Sequence, residues 1–467
     1  MSAALVWIIL PLFFSLFLLL FRRNYRLSAW MQTAVCFALI LLGIFSTTDP
    51  AVRTATQVLE FDAVFNILGR SLVIDSNLRN FSVILFAFLG FWTLALIIFK
   101  IQSRVVPLGI AFMAFLISAL AVEPFLYSAL LIEISVIVSV LMVADVNAES
   151  NNGVLRYLIY FSIGVPFVLL AGWYLAGGEI TPVNEEQLIQ ATLLLGLGFV
   201  FWLGVFPFQS WIPLIAEENR LSESFLVLII MPVAIMMLLL KYLNGFVWLR
   251  EYGAVFQGLR IFGLLMVVSG SVWAFFQQKL NRLLSYLLIA STGTILLSIG
   301  LDLPAGIYLS SYLVFARLAA CFILVWIAFA LQQAKGDLSL GAFKSLFYLS
   351  PFMGLSALLA FFSFAGMPLT AGFPVMQSLY AYLAAANKLF AFAVIACTGV
   401  ISMIFIRLSF LVLSRNQGRS QPPIELTSKE KITFITFAFF MIVAGLLPNI
   451  FFGGFERMVS GFEFLVK

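Results

Sequence analysis

Two ionisable side chains lie deep inside apolar runs, and any chemistry this chain performs within them would fall to these two. Glu133 sits in the middle of the stretch 130–138, which holds no other charge, and Arg317 sits within 311–322 with long apolar flanks on both sides. A charge at such depth is costly, so by default it is functional and has a partner on another segment. Glu133 can be held neutral by desolvation, can pair with a cation of a neighbouring subunit, or can persist as a neutral buried relic. The Arg317 guanidinium stays protonated at any relevant pH. It can anchor Glu133 or an acidic lipid headgroup, but it is a poor carrier of protons. Lys241 and Arg407 lie near the ends of their apolar runs, where snorkelling to a surface is expected. Lys279 and Arg282 read as surface anchors and Asp302 as a loop residue. The chain contains no His, the side chain that most readily gains and loses protons near neutral pH. Cys36, Cys321 and Cys397 are isolated in apolar runs and read as small packing residues. There is no Cys cluster with metal spacing and no glycine-rich phosphate loop. No metal, nucleotide, flavin or other cofactor is therefore expected, no nucleic-acid partner is indicated, and redox chemistry is left to other chains.

The elements that must position these residues are membrane helices. Hydrophobic residues make up 63% of the 467, charged residues only 10%, and Phe alone supplies 51. A soluble domain is nearer 45–50% apolar and about 25% charged. Apolar runs recur that can each cross a hydrocarbon core about 30 Å thick, and in lipid such runs must be helical. The pattern predicts fourteen spans, near 4–21, 28–46, 80–99, 106–121, 124–143, 155–176, 188–214, 224–243, 259–277, 283–301, 304–331, 346–385, 391–413 and 432–450. The first lacks a basic leader and ends in Arg22-Arg23, so it is expected to be retained. The seventh and twelfth are too long for one straight crossing, and each is interrupted by proline, at Pro207 and Pro368. The short alternating stretch 71–75 reads as a hairpin strand on the outer surface.

An even number of spans places both termini on one side. With the termini outside, fifteen Lys and Arg lie on the inner side, Arg22 and Arg419 among them, and nine on the outer side. The positive-inside rule therefore predicts outward, periplasmic-side termini. The two interrupted helices occupy matching places in two runs of five spans, 106–243 (helices 4–8) and 259–413 (helices 9–13) within a single domain of residues 1–467. Five is odd, so two such copies would be inverted in the membrane. Paired broken helices in matching halves point to an inverted-repeat transporter architecture, set against the plainer reading that proline merely kinks helices in a large bundle.

Several segments resemble, in order, the antiporter-like subunits of respiratory complex I, the proton-translocating NADH:quinone oxidoreductase. Residues 206–213 (FPFQSWIP) resemble the family's Pro-Phe-His-x-Trp-x-Pro turn, with Gln209 where His is usual. Residues 281–293 (NRLLSYLLIASTG) resemble its Lys-Arg-Leu-Leu-Ala-Tyr-Ser-Ser-Ile-Ala segment. The stretch 365–373 (AGMPLTAGF), with Gly366 and Pro368, is similar to its second broken helix, and Glu133 sits where its fifth helix carries a glutamate. The resemblance implies an all-α polytopic fold with two inverted five-helix repeats, other integral membrane subunits as partners in a hetero-oligomer, and lipid around the bundle. It also implies an ionisable residue, usually Lys, on each of three signature helices. Here the matching positions are Trp202, Met231 (or an immediate neighbour, depending on one gap) and Met376. In the family, Glu133 would pair with the lysine that Trp202 replaces, and the central chain of Lys and His becomes Trp202, Met231, Ser291 and Met376. Ser291 can hold water but does not titrate.

Three readings follow. One is a structural subunit of a complex I-type, bacterial inner-membrane assembly with a degenerate, non-conducting channel. Another is a conducting subunit that uses Glu133, Arg317, Ser291 and waters. The third is an antiporter-like partner in a membrane hydrogenase or an inorganic-carbon transport complex.

Overall fold

Nearly every stretch that is apolar over five turns or more is helical. The computed structural model describes all residues except 1, 22, 49–58, 68, 146–149, 176–184, 337, 416–423, 452–458, 460 and 467. Arg22 and Arg419, both counted toward one side of the membrane, lie outside the described residues. Among those described, nine helices are long and apolar enough to cross a membrane, and four more are apolar but shorter. The protein is an all-α polytopic membrane protein, and its chain divides into two compact units.

The first unit comprises Met1–Gly204, Glu218–Tyr252 and Arg457–Phe464. Its helices are α1 (Leu5–Leu20), α2 (Tyr25–Phe45), α3 (Ser76–Ile98), α4 (Val105–Ala121), α5 (Tyr127–Val143), α6 (Asn152–Leu175) and α7 (Glu185–Leu203). The short α8 (Trp211–Glu218), which belongs to the second unit except for its last residue, is followed in this unit by α9 (Leu221–Gly245) and α10 (Val247–Glu251). The sequence 225–240 is apolar on every face, as a helix enclosed by others must be. Accordingly α9 is 94% buried over its most apolar stretch and forms the axis against which α4, α5 and α7 pack. Lys241, near the end of α9, donates from Nζ to the Leu120 carbonyl at 2.7 Å. A cation there satisfies a last-turn carbonyl of α4 and complements the helix dipole.

The hairpin β3 (Val64–Ile67) and β4 (Arg70–Val73) is antiparallel, and β4 pairs in turn with β5 (Val122–Glu123), while β1 (Ser46–Thr47) pairs parallel with β2 (Leu59–Glu60). The strand expected over 71–75 begins at Arg70 and ends at Val73 because Asp75 has another task. Its carboxylate accepts the Leu78 N–H at 2.8 Å and caps α3, an N-cap role suited to Asp. This cap also explains why α3 begins four residues ahead of the predicted span.

The second unit comprises Val205–Glu217, Gly253–Glu456 and Leu465–Lys467. Its long helices are α11 (Gly253–Phe275), α12 (Leu280–Ile299), α13 (Pro304–Lys335), α17 (Lys388–Leu413) and α18 (Ser428–Leu446), with α14 (Leu346–Leu349), α15 (Pro351–Phe364) and α16 (Phe373–Ala386) between α13 and α17. α11 and α12 pack at backbone distance. A Cβ on Gly263 would stand 2.8 Å from the Gly293 carbonyl, and one on Gly270 would stand 2.6 Å from the Ala290 nitrogen. Small residues let membrane helices approach in this way. α12 and α13 are each 83% buried over their most apolar stretches and form this unit's core. The last predicted run, 432–450, is displaced: α18 starts at a Thr427–Glu430 capping box and stops before Pro448. Apolarity alone missed the cap, and proline cannot continue the helix.

Candidate functional site: two helix breaks and a buried arginine

The first break follows α7. Gly204 takes φ +64°, a conformation that suits glycine, and Pro207 precedes a single 3-10 turn, Phe208–Ser210, that leads into α8. Gln209 is buried there, and its side-chain oxygen accepts from the Ser269 hydroxyl at 2.9 Å. The second break separates α15 from α16. Gly366, at φ +63°, donates to the Ser363 carbonyl at 3.2 Å, and Met367 donates to the Phe362 carbonyl at 2.9 Å. These two bonds form a Schellman cap, which satisfies the open carbonyls of a helix end. Pro368 follows and prevents the helix from resuming. Leu369 is also left-handed, at φ +69°.

Three residues singled out from the sequence come together in the second unit. Ser291 of α12, Arg317 of α13 and Met376 of α16 line one cavity of about 40 Å³, with Thr294, Ser363 and Thr398 beside them. By the same measure a water needs about 10–15 Å³, so the cavity has room for a few. Arg317 is 3% exposed, and its guanidinium donates to the Thr292 hydroxyl at 2.8 Å. Thr292 in turn donates to the Leu288 carbonyl at 2.8 Å, which orients its lone pairs toward Arg317. Val267, Leu287, Leu313 and Ile401 are among its apolar walls. Among the described residues that line it, Arg317 alone is ionisable.

The remaining site residues belong to the first unit. Glu133, half-buried on α5, accepts a hydrogen bond from the Ser162 hydroxyl of α6. Its other oxygen is buried and has no hydrogen-bond partner among the described residues. Trp202 of α7 is fully buried, and its indole N–H donates to the Phe161 carbonyl at 3.0 Å. It lies parallel to Phe161 and edge-on to Phe199. Met231 is fully buried in the middle of α9.

Two sets of residues escaped the sequence reading. Glu223, in the first turn of α9, is 2% exposed and accepts from the hydroxyls of Ser103 at 2.8 Å and Ser222 at 2.6 Å, and from the Arg104 N–H at 3.3 Å. The Ser-Glu-Ser triplet at the head of an apolar run was its only signal. The hydroxyls around Arg317 were the second set; they were visible only as scattered Ser and Thr in apolar runs.

Apolar membrane-spanning helices, two of them interrupted and one interruption beside a buried cation, define the class: an all-α polytopic membrane protein. The family model for the transmembrane region of NADH:quinone oxidoreductase and Mrp antiporter subunits matches residues 126–402, more than half of the chain. The chain belongs to that family. It is 26% identical over 319 residues to NADH-quinone oxidoreductase subunit N 2 of Syntrophobacter fumaroxidans, covering 64% of this chain and 65% of that one. It is likewise 26% identical over 327 residues to subunit N of Deinococcus radiodurans, covering 65% of each chain. The matched region thus spans just under two thirds of these relatives' length. The fold is shared with a chain of respiratory complex I from Thermus thermophilus (TM-score 0.82, 19% identity, 99% of both chains). It is shared also with a chain of an archaeal membrane-bound sulfane sulfur reductase (TM-score 0.81, 15% identity, 100% of this chain and 98% of that one).

Proposed function

We propose that this chain is an antiporter-like membrane subunit of a complex I-type assembly, with a closed ion pathway and a structural role. The observation that carries the reading is Trp202. Where the family's first broken helix bears an ionisable residue, this chain has an indole that is fully buried and hydrogen-bonded to a main-chain carbonyl. Nothing at that position can take up or release a proton near neutral pH. Met231 and Met376 are equally unable to titrate, and the cavity beside Met376 is lined by hydroxyls and a guanidinium that holds its proton. In this reading residues 106–243 and 259–413 are the two inverted repeats, both termini face the outer side, and the chain works beside other integral membrane subunits, further antiporter-like chains among them.

Radiolytic hydroxyl-radical footprinting tests the closed pathway, since Trp and Met side chains are readily oxidised where water reaches them. Trp202 and Met231 are expected to stay unlabelled in the native protein; labelling of both would defeat the reading.

A second reading, conduction by the chain itself, draws on two observations. Arg317 and Ser291 share a cavity able to hold water, and Glu133 keeps one buried carboxylate oxygen open to another partner. The host assembly is a separate question, because the same fold occurs in a sulfane sulfur reductase complex and in an Mrp complex from a Dietzia species. Mass spectrometry of the co-purifying subunits answers it.

A further inference from the structure

Arg407 is an exposed guanidinium on α17, six residues short of that helix's end at Leu413, or about 9 Å along the axis at ~1.5 Å per residue. Nearer the helix end a second cation is held in place. The Ser345 N–H donates to the Leu411 carbonyl at 2.9 Å, fastening the loop that carries Lys344 onto α17 one turn beyond Arg407. Ser345 is buried and left-handed, at φ +63°, a strained conformation for a residue with a Cβ. The same loop is gripped from its other side, where Lys335 Nζ donates to the Ala342 carbonyl at 2.7 Å. Between the loop and the helix lies an open groove of about 690 Å³, lined by Lys344, Arg407, Met403, Ile406, Phe410 and Ser414. Both cations line it, together with the exposed apolar side chains of Met403 and Ile406 on one side of Arg407 and Phe410 on the other.

We propose that this groove binds one anionic phospholipid, with Lys344 and Arg407 on the headgroup phosphate and Met403, Ile406 and Phe410 along an acyl chain. Charge complementarity selects the occupant. A groove that sets two cations among exposed apolar side chains near a helix end matches an amphiphile with a negative headgroup and an acyl chain. The Ser414 hydroxyl already donates to the Leu411 carbonyl at 2.8 Å, so it faces the groove as an acceptor, and the phosphate contacts fall to the two cations. A zwitterionic headgroup, whose own ammonium balances its phosphate, should bind less well.

The test is native mass spectrometry of the purified full-length chain, with any subunits that accompany it, after incubation with equal amounts of phosphatidylglycerol and phosphatidylcholine. One retained phosphatidylglycerol is expected, at least tenfold above phosphatidylcholine, and the preference should be lost in the K344Q/R407Q double variant. The charge-preserving K344R/R407K variant should keep it, which separates loss of the site from loss of the fold. Equal retention of both lipids by the native chain, or undiminished phosphatidylglycerol on K344Q/R407Q, would overturn the proposal. So would a co-purifying protein segment cross-linked to residue 407 in place of lipid.

Discussion

Trp202 on α7 and Gly164 on α6 fit one another: a Cβ placed on Gly164 would stand 2.4 Å from the Trp202 indole nitrogen. The bulky ring is thus matched by a missing side chain on the helix facing it. The pair makes Trp202 a packed, structural residue.

Gly164→Ala should therefore lower the thermal unfolding midpoint in detergent, at a cost of about 1–3 kcal/mol from overpacking. Trp202→Ala should cost about 3–5 kcal/mol as a large-to-small core change. The double variant should be less destabilised than the sum, because each change relieves the other's defect. Strict additivity would mean that the two residues do not share a packing site.

At the second break, the backbone conformation predicts two changes of opposite sign. Gly366→Ala forces a Cβ into a left-handed residue and to within 2.9 Å of Met376. It should destabilise by more than the ~1–2 kcal/mol of the conformation alone. Leu369→Gly removes the same conformational penalty from an exposed residue at φ +69°, so the midpoint should hold or rise. Differential scanning fluorimetry of the two variants distinguishes the cases.

Around Arg317, Thr292→Val keeps the shape of the side chain but removes the acceptor for a buried guanidinium. A loss of about 1–3 kcal/mol is expected, with Thr292→Ser close to the native protein. If Thr292→Val unfolds at the native midpoint, Arg317 is held by other groups.

The membrane character and the helical framework were legible in the sequence because apolar run length is set by bilayer thickness. Pro207 and Pro368 marked both breaks, although Pro166 and Pro232 lie inside α6 and α9, which run on unbroken, so proline alone does not fix a break. Helix ends were read less well where a polar cap set them, as Asp75 does for α3 and Thr427 with Glu430 for α18. The site was legible only in part. Glu133 and Arg317 stood out as charges among apolar neighbours, whereas Glu223 sits at a helix start, where acidic residues are common. The hydroxyls around Arg317 come from helices up to about a hundred residues apart, and no local pattern brings Thr294, Ser363 and Thr398 to one cavity. Gly164 carried no signal, because its meaning lies in Trp202, on another helix.

Copurification bears on the structural role. The lipid- or partner-facing sides of α5 and α6 are rich in large apolar residues, Leu141 and Trp173 among them. The chain should be isolated in mild detergent with other integral membrane subunits, at least one of them antiporter-like. A stable, homogeneous monomer without partners would count heavily against the role assigned to it.

Proton counting on Glu133→Gln tests the central claim most directly. The substitution keeps the side chain's size and its hydrogen bond from Ser162, and it removes the carboxylate. The assembly carrying the variant is reconstituted into sealed vesicles, and protons moved per electron pair are measured against the native assembly. A closed pathway predicts the same ratio in both, or weakened assembly with an unchanged ratio in what does assemble. A variant that assembles normally yet loses most of the proton stoichiometry would show that this chain conducts.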